Sequence, residues 1–405
     1  MDLHYVQGDV LFAKNNEVPK QYPYLTEDIE TEVAVIGGGV TGAIVSYYFT
    51  EANIPCVVIE QSRVGLGSTC ASTALLQYEL DSLARDVEAY IPMSDILEAY
   101  HMGKEALEDI KEIIIQHGNR CGYEEKDTLT YTAKGAEIGC IEEEFRIRKE
   151  AGFEVEFISE EMNPFSFELK AGVLAHKGGA QIDPYRFTHQ LLEISEQKGL
   201  RIYENTAVNK VHYDEDSVEL EVSYGYKVKA KKIILATGYD TGAFSTRNYG
   251  IKTVSYNIAT RPVSDFEGWP ETPLIRDNND PYFYFRTTDD DRIIAGGKDI
   301  PFEPNIFNEK VAKEKYKILE THLKQMFPYI PNLEIEYKYC GCFTSTPDNL
   351  AFVGISPEHK NLWYCLGYGA NGILFDVLGG KMLTKLYKGE EDSRMRLFKV
   401  DRFDK

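Results

Sequence analysis

Residues 32–36 read EVAVI and residues 54–60 read IPCVVIE, two short apolar runs rich in β-branched side chains. Runs of this length, with no polar alternation, predict strands buried on both faces. Between them AIVSYYFTEAN (43–53) spaces its larger residues as a helix does. Further on, GLRIYENTAVNKVHYDEDSVELEVSYGYKVKAKKIIL alternates like a small meander of strands and runs into Thr237 and Gly238. The stretch LRIYENTAV reads as a strand closing on Val208. SYNIATRPV (255–263) and PYFYFRTTDD (281–290) alternate as antiparallel strands. In the second, Tyr282, Tyr284 and Arg286 share one face and Phe283 and Phe285 the other. Helices are predicted over 95–117 and 137–150, and another after Asp183-Pro184, an N-cap followed by proline at the first helical position. Near the end, NLWYCL predicts a strand entering the loop Gly367–Gly372, with a helix starting at about Ile373.

Composition narrows the class. The chain has 405 residues, 65 acidic and 44 basic, for a formal net charge of -21. That balance argues against a nucleic-acid binder and against a polybasic anchor on anionic lipid. The N-terminus shows no secretory pattern and no apolar run is long enough to span a bilayer. Seven thinly spread cysteines without a C-x-x-C predict reduced thiols in a cytoplasmic protein and no metal site. The acidic runs, such as Asp289–Asp291, lack Ca²⁺-loop spacing.

The first chemical signal is the link between the first strand and helix. GGGVTG places Gly37, Gly39 and Gly42 in G-x-G-x-x-G spacing, with Thr41 among them. Gly37 permits a sharp turn, Gly39 lets a pyrophosphate approach the backbone, and Gly42 lets helix and strand pack closely. The helix N-terminus offers free N–H groups and a positive dipole end. Glu60 follows Gly42 by 18 residues, close to the ~20 expected of the acid that accepts from ribose hydroxyls. An acid there disfavours a ribose 2′-phosphate, leaving NAD or FAD. The loop Gly367–Gly372 at a second helix N-terminus is another place to hold negative charge, such as that of a reduced flavin.

In order, VIGGGVTG, VIEQSRVGLGST, IDPYRF, ILATG, YFYFRTTDDDRIIAGG, TSTPDNLAFVG and GYGANGI resemble the FAD-dependent amino-acid and amine oxidoreductases. That family includes glycine oxidase, D-amino-acid oxidase and sarcosine oxidase. The lead before the first strand is similar to the gamma-glutamylputrescine oxidoreductase-like branch. The resemblance implies an α/β fold: a Rossmann-like FAD-binding domain with a central parallel sheet, plus a second α+β substrate domain with a mostly antiparallel sheet. The flavin domain would take 29–90, 180–243 and 340–389, the substrate domain 91–179 and 244–339, and 1–28 would form a lead segment. FAD is the cofactor implied, held by Gly37, Gly39, Thr41, Gly42, Glu60, Gln61, Arg63, Ser68, Thr69, Val208, Thr237, Gly238, Gly341, Gly372 and Ile373. Ser72 and Thr73 stand where many relatives carry Asn and Gly. The attachment is expected to be non-covalent, because Gly341 occupies the place of the flavin-linking cysteine, between Cys340 and Cys342.

The activity implied is hydride loss from a carbon bearing nitrogen to flavin N5, followed by hydrolysis of the imine. The substrate would be a small amine or amino acid, and the acceptor O2 or another oxidant. Phe343, Ala74 and Gln77 replace the arginines that grip a substrate carboxylate in relatives, so either another arginine serves or the substrate lacks a carboxylate beside its amine. Ile294 replaces a lysine that helps oxygen react, which favours a dehydrogenase or a slow oxidase. Tyr284, Arg286, Arg261 and His176 are the candidates for the substrate pocket. The alternatives are oxidation of a C–OH bond, in a 2-hydroxy acid or polyol phosphate, and a flavoprotein subunit without turnover.

Overall fold

The computed structural model describes residues 5–404 except 246, 248, 304–307 and 370. Ala370, read above as part of the second glycine loop, thus lies outside the described residues. Two sheets organise the chain. The first is eight-stranded, and its centre is parallel. Leu362–Leu366, Lys227–Leu235, Ile29–Ile36, Cys56–Ile59 and Arg201–Tyr203 pair in that order. Val33 and Val35 pack into one core, Ala34 and Ile36 into another on the opposite face. Burial on both faces explains the uninterrupted apolar runs. Helices Val40–Glu51, Met93–His117, Pro184–Gln197 and Gly372–Tyr387 contribute side chains to the first of these cores. As the sequence predicts, Asp183 caps Pro184–Gln197, its Oδ1 accepting from Arg186 N at 2.9 Å.

The second sheet is ten-stranded. Among the described residues all its pairings are antiparallel except that of Leu274–Asp277 with Glu124–Thr132. Phe283 and Phe285 point into an aromatic core with Trp269 and Phe327, which the helix Glu309–Met326 covers. Tyr282 and Tyr284 therefore face the other way. The alpha–beta organisation, with one mixed sheet and one mostly antiparallel sheet, is the fold expected.

Three details differ from the reading above. Ile251–Thr260 and Phe283–Thr287 are not neighbours, because Ile293–Pro301 pairs with both and lies between them. The strand Arg201–Tyr203 stops short, Asn205 takes φ 49, and Val208 opens a new strand, Val208–Tyr213. The lead is not merely an appendage: Val6–Gly8 pairs with Ile335–Ser345, Val6 lying opposite Gly341. Among the described residues no helix is long and apolar enough to cross a membrane.

Candidate active site

One cavity runs from the glycine turn of the parallel sheet to the tyrosine face of the large sheet. At its first end, Gly37 takes φ 114, and a Cβ there would strike the Ala236 carbonyl. A Cβ on Gly42 would strike the Gly37 carbonyl, so this glycine sets the packing of turn on helix and stands behind the cavity wall. Gly39 caps Val40–Glu51 without a side-chain cap, and Val40 N donates to Thr69 Oγ1 at 2.9 Å. The helix thus presents its positive end to the cavity. Glu60 ends its strand as expected, its two oxygens accepting from Gly38 N and Ser62 N at 2.7 Å. Burial pushes its carboxyl upward against the lowering effect of those two amides. Gln61, Arg63, Ser68, Ser72, Thr73, Val208, Gly238, Gly341, Gly372 and Ile373 line the same cavity. Thr237 lines it with a buried Oγ1 that has no partner. A cradle that a side chain would fill, an open helix N-terminus and an orphaned hydroxyl fit the adenosine diphosphate half of FAD.

At the other end the cross-strand register writes the wall. Asn257 lies opposite Gly296, Gly296 opposite Tyr284, and Tyr284 opposite Arg276. A Cβ on Gly296 would collide with Asn257 Oδ1 and Tyr284 Oη. Its absence lets Tyr284 Oη donate to Asn257 Oδ1 at 2.8 Å and sit 3.0 Å from Ser255 Oγ. Phe343, Ala74 and Gln77, where relatives keep arginines, also line this cavity.

Of the four pocket candidates only Tyr284 lines the cavity. Arg286 is buried, but its donors are spent on backbone carbonyls. Nε bonds Thr73 O, while Nη1 and Nη2 bond Thr287 O and Ile182 O, both at 2.9 Å. Burial lowers its pKa to about 10. It clamps the Ser72–Ala74 segment to the sheet and has no free fork for a substrate. Arg261 is exposed and pairs with Glu334 at 3.5 Å. His176 is half exposed between Asp127, 3.1 Å from Nδ1, and Glu156, 3.7 Å from Nε2. Both stand outside the cavity wall: residue type suggested chemistry that strand position does not support.

The wall instead supplies charges that the sequence reading missed. Arg276 is 5% exposed and lines the cavity, yet its Nε and Nη2 have no partner. Its guanidinium lies 5.9 Å from the Tyr282 ring centroid. Asp81 accepts from Tyr282 Oη at 3.0 Å. Asp299 lines the cavity with a buried, unbonded Oδ1, and burial pushes its carboxyl up to about 7. Near the glycine turn, Asp376 is held up to about 8, chiefly by burial. No local motif marks these residues. Of the two cysteines flanking Gly341, Cys340 packs into the aromatic core and Cys342 lines the cavity. Burial pushes the Cys342 thiol up to about 11, so it is protonated at neutral pH and a poor nucleophile.

The chain is similar to known proteins over most of its length. The family model described as FAD dependent oxidoreductase matches residues 32–386. A Bacillus subtilis (strain 168) protein, YhfW, named as a Rieske 2Fe-2S iron-sulfur protein, is 26% identical over 388 residues, covering 94% of this chain and 73% of that one. Gamma-glutamylputrescine oxidoreductase of Escherichia coli (strain K12) is 23% identical over 388 residues, covering 91% of this chain and 86% of that one. The crystal structure of glycine oxidase from Geobacillus kaustophilus superposes with a TM-score of 0.78 at 19% identity, covering 92% of this chain and 99% of that one. The chain belongs to the FAD dependent oxidoreductase family known as DAO, and its cofactor is FAD.

Proposed function

We propose that the protein oxidises the C–N bond of a small amino acid, a substrate that carries a carboxylate as well as its amine. One observation supports this above the others: Arg276, buried on the cavity wall with an unpartnered guanidinium edge. A buried cation without a counterion is costly, and a carboxylate matches the guanidinium fork in charge and shape. Arg276 would thus serve in place of the arginines missing at Phe343, Ala74 and Gln77. Bound FAD supplies the hydride acceptor at its N5, without covalent attachment. The chain's own residues supply alignment: Tyr284, fixed by Asn257 and Ser255, sets the wall against which the substrate lies.

The chain would stand near the gamma-glutamylputrescine oxidoreductase-like branch, with the substrate's carboxylate either beside the amine or further along the molecule. The electrons pass to O2 or to another acceptor. Ile294, buried in one apolar cluster with Ala71 and Tyr339, favours slow reaction with O2. Seven unpaired thiols support a reducing, cytoplasmic setting.

Anaerobic mixing of the holoprotein with a panel tests the reading. Glycine, sarcosine, L-proline, D-alanine, L-alanine and 4-aminobutyrate represent carboxylate-bearing amines; putrescine and benzylamine represent bare amines; lactate and glycerol 3-phosphate represent C–OH substrates. Bleaching of the flavin by a member of the first group alone is expected. Preferential bleaching by a bare amine or a C–OH compound overturns it.

A further inference from the structure

Asp299 is the second charged group on the cavity wall with an unbonded atom, and the fold sets it apart from Arg276 in a definite way. Its strand, Ile293–Pro301, flanks Phe283–Thr287 on one side, and the strand of Arg276 flanks it on the other. An anion and a cation thus stand on either side of the Tyr282–Tyr284 wall. Pairing between Ile293–Pro301 and Ile251–Thr260 shifts register between Val254 and Tyr256, and Lys298 takes φ 57. The irregularity brings Asp299 near Ser255, whose hydroxyl favours the ionised carboxylate. Bulges of this kind re-aim a side chain. Lys298 itself points away, lying 4.4 Å over the Phe283 ring on the core side.

We propose that Asp299 is the proton acceptor for the substrate's ammonium group. This rests on the reading of the substrate as an amino acid. In the step, one N–H bond of the ammonium breaks and an O–H bond forms on the Asp299 carboxylate. The electron pair stays on nitrogen, where it is needed for the adjacent C–H bond to release hydride. No further reactant is consumed in the proton step.

The surroundings suit the task. Burial is the main influence on Asp299; Asp81 and Asp280 push its carboxyl the same way, while Ser255 and Lys315, from Glu309–Met326, oppose them. Tyr282 and Tyr284 stand on the same wall as neutral hydroxyls, and Tyr256, on the core side, is neutral too; all three are held above their ordinary titration range. A carboxyl near 7 is half ionised at neutral pH and close to the optimum for a general base.

Two readouts test the assignment. In the first, glycine betaine, a fixed cation with a carboxylate and no N–H proton, is titrated into the holoprotein from pH 6 to pH 9 and binding is followed by the flavin spectrum. Affinity should rise about tenfold as Asp299 ionises, and should be independent of pH in D299N. Equal pH dependence in the two proteins, or no binding by the wild type, overturns the assignment without touching the redox reading. In the second, anaerobic flavin reduction by the fastest amino acid of the panel is followed against pH. The wild type should show a rising limb near pH 7. D299N should lose roughly 100-fold at pH 7, with its limb moved upward by at least about one pH unit, and D299E should restore part of the rate. A uniform loss at every pH, with the limb unmoved, contradicts the proposal.

Discussion

Thr41 Oγ1 donates a 2.7 Å hydrogen bond to Asp376 Oδ2, joining the N-terminal parts of two helices through residues 335 positions apart in the chain. Asp376 also receives the Cys365 thiol at 3.8 Å. The contact seals the back of the cofactor cradle with a carboxyl held near 8.

The sign of its effect follows. An ordinary aspartate titrates near 3.9, so between about 4 and 8 the folded protein binds a proton that the unfolded chain has lost. Stability from Asp376 is therefore fully present below about pH 4 and is lost progressively as pH rises to about 8. Asp376→Asn keeps the hydrogen-bond acceptor without the charge. Melting curves of the holoprotein should show a variant whose Tm advantage over wild type grows from pH 5 to pH 8. A constant difference would contradict this.

Glu60→Ala removes the acceptor at the end of the second strand. The bonds lost are charge-assisted, at about 1.5–3 kcal/mol each, so FAD affinity should fall by about 10–150-fold. Fluorescence titration of the apoprotein with FAD measures it. Because Glu60 also holds the Gly38 and Ser62 amides, circular dichroism serves to show that the turn survives.

Arg276 sets binding against stability. Arg276→Met should raise the dissociation constant for the active amino acid on the order of 100-fold, while the free holoprotein melts higher, because an unpaired buried charge has been removed. A lower Tm together with unchanged affinity would mean that the guanidinium supports the fold and does not bind substrate.

Gly296→Ala adds one methyl where Asn257 and Tyr284 meet. Overpacking of this kind costs about 1–3 kcal/mol. Flavin reduction should slow while the dissociation constant for FAD, whose adenosine diphosphate half would be held at the far end of the cavity, changes little. Stopped-flow reduction and FAD titration separate the two effects.

Locally written features were legible in the sequence. Gly37, Gly39, Gly42 and Glu60 declare themselves because a tight turn, a close approach and a strand-end acid are constraints along one stretch of chain. The division of Tyr282 and Tyr284 from Phe283 and Phe285 follows from strand period. Which side faces the cavity does not, since the helix Glu309–Met326 decides it from elsewhere. Arg276 and Asp299 carry no local signal in the sequence, because their surroundings depend on cross-strand neighbours: Tyr284 for one, Ser255 for the other. Arg286 misled for the same reason. Its spacing matches Tyr284, but Thr73, more than 200 positions away, takes its donor.

Amino-acid oxidation steered by Arg276 is tested most directly by the absorbance of the bound flavin. Under anaerobic conditions the wild-type holoprotein should lose its yellow colour on mixing with a carboxylate-bearing amine from the panel, and Arg276→Met should keep it at the same concentration. If both proteins bleach alike, or if neither responds to any of these amines while lactate or glycerol 3-phosphate decolours them, the account is wrong.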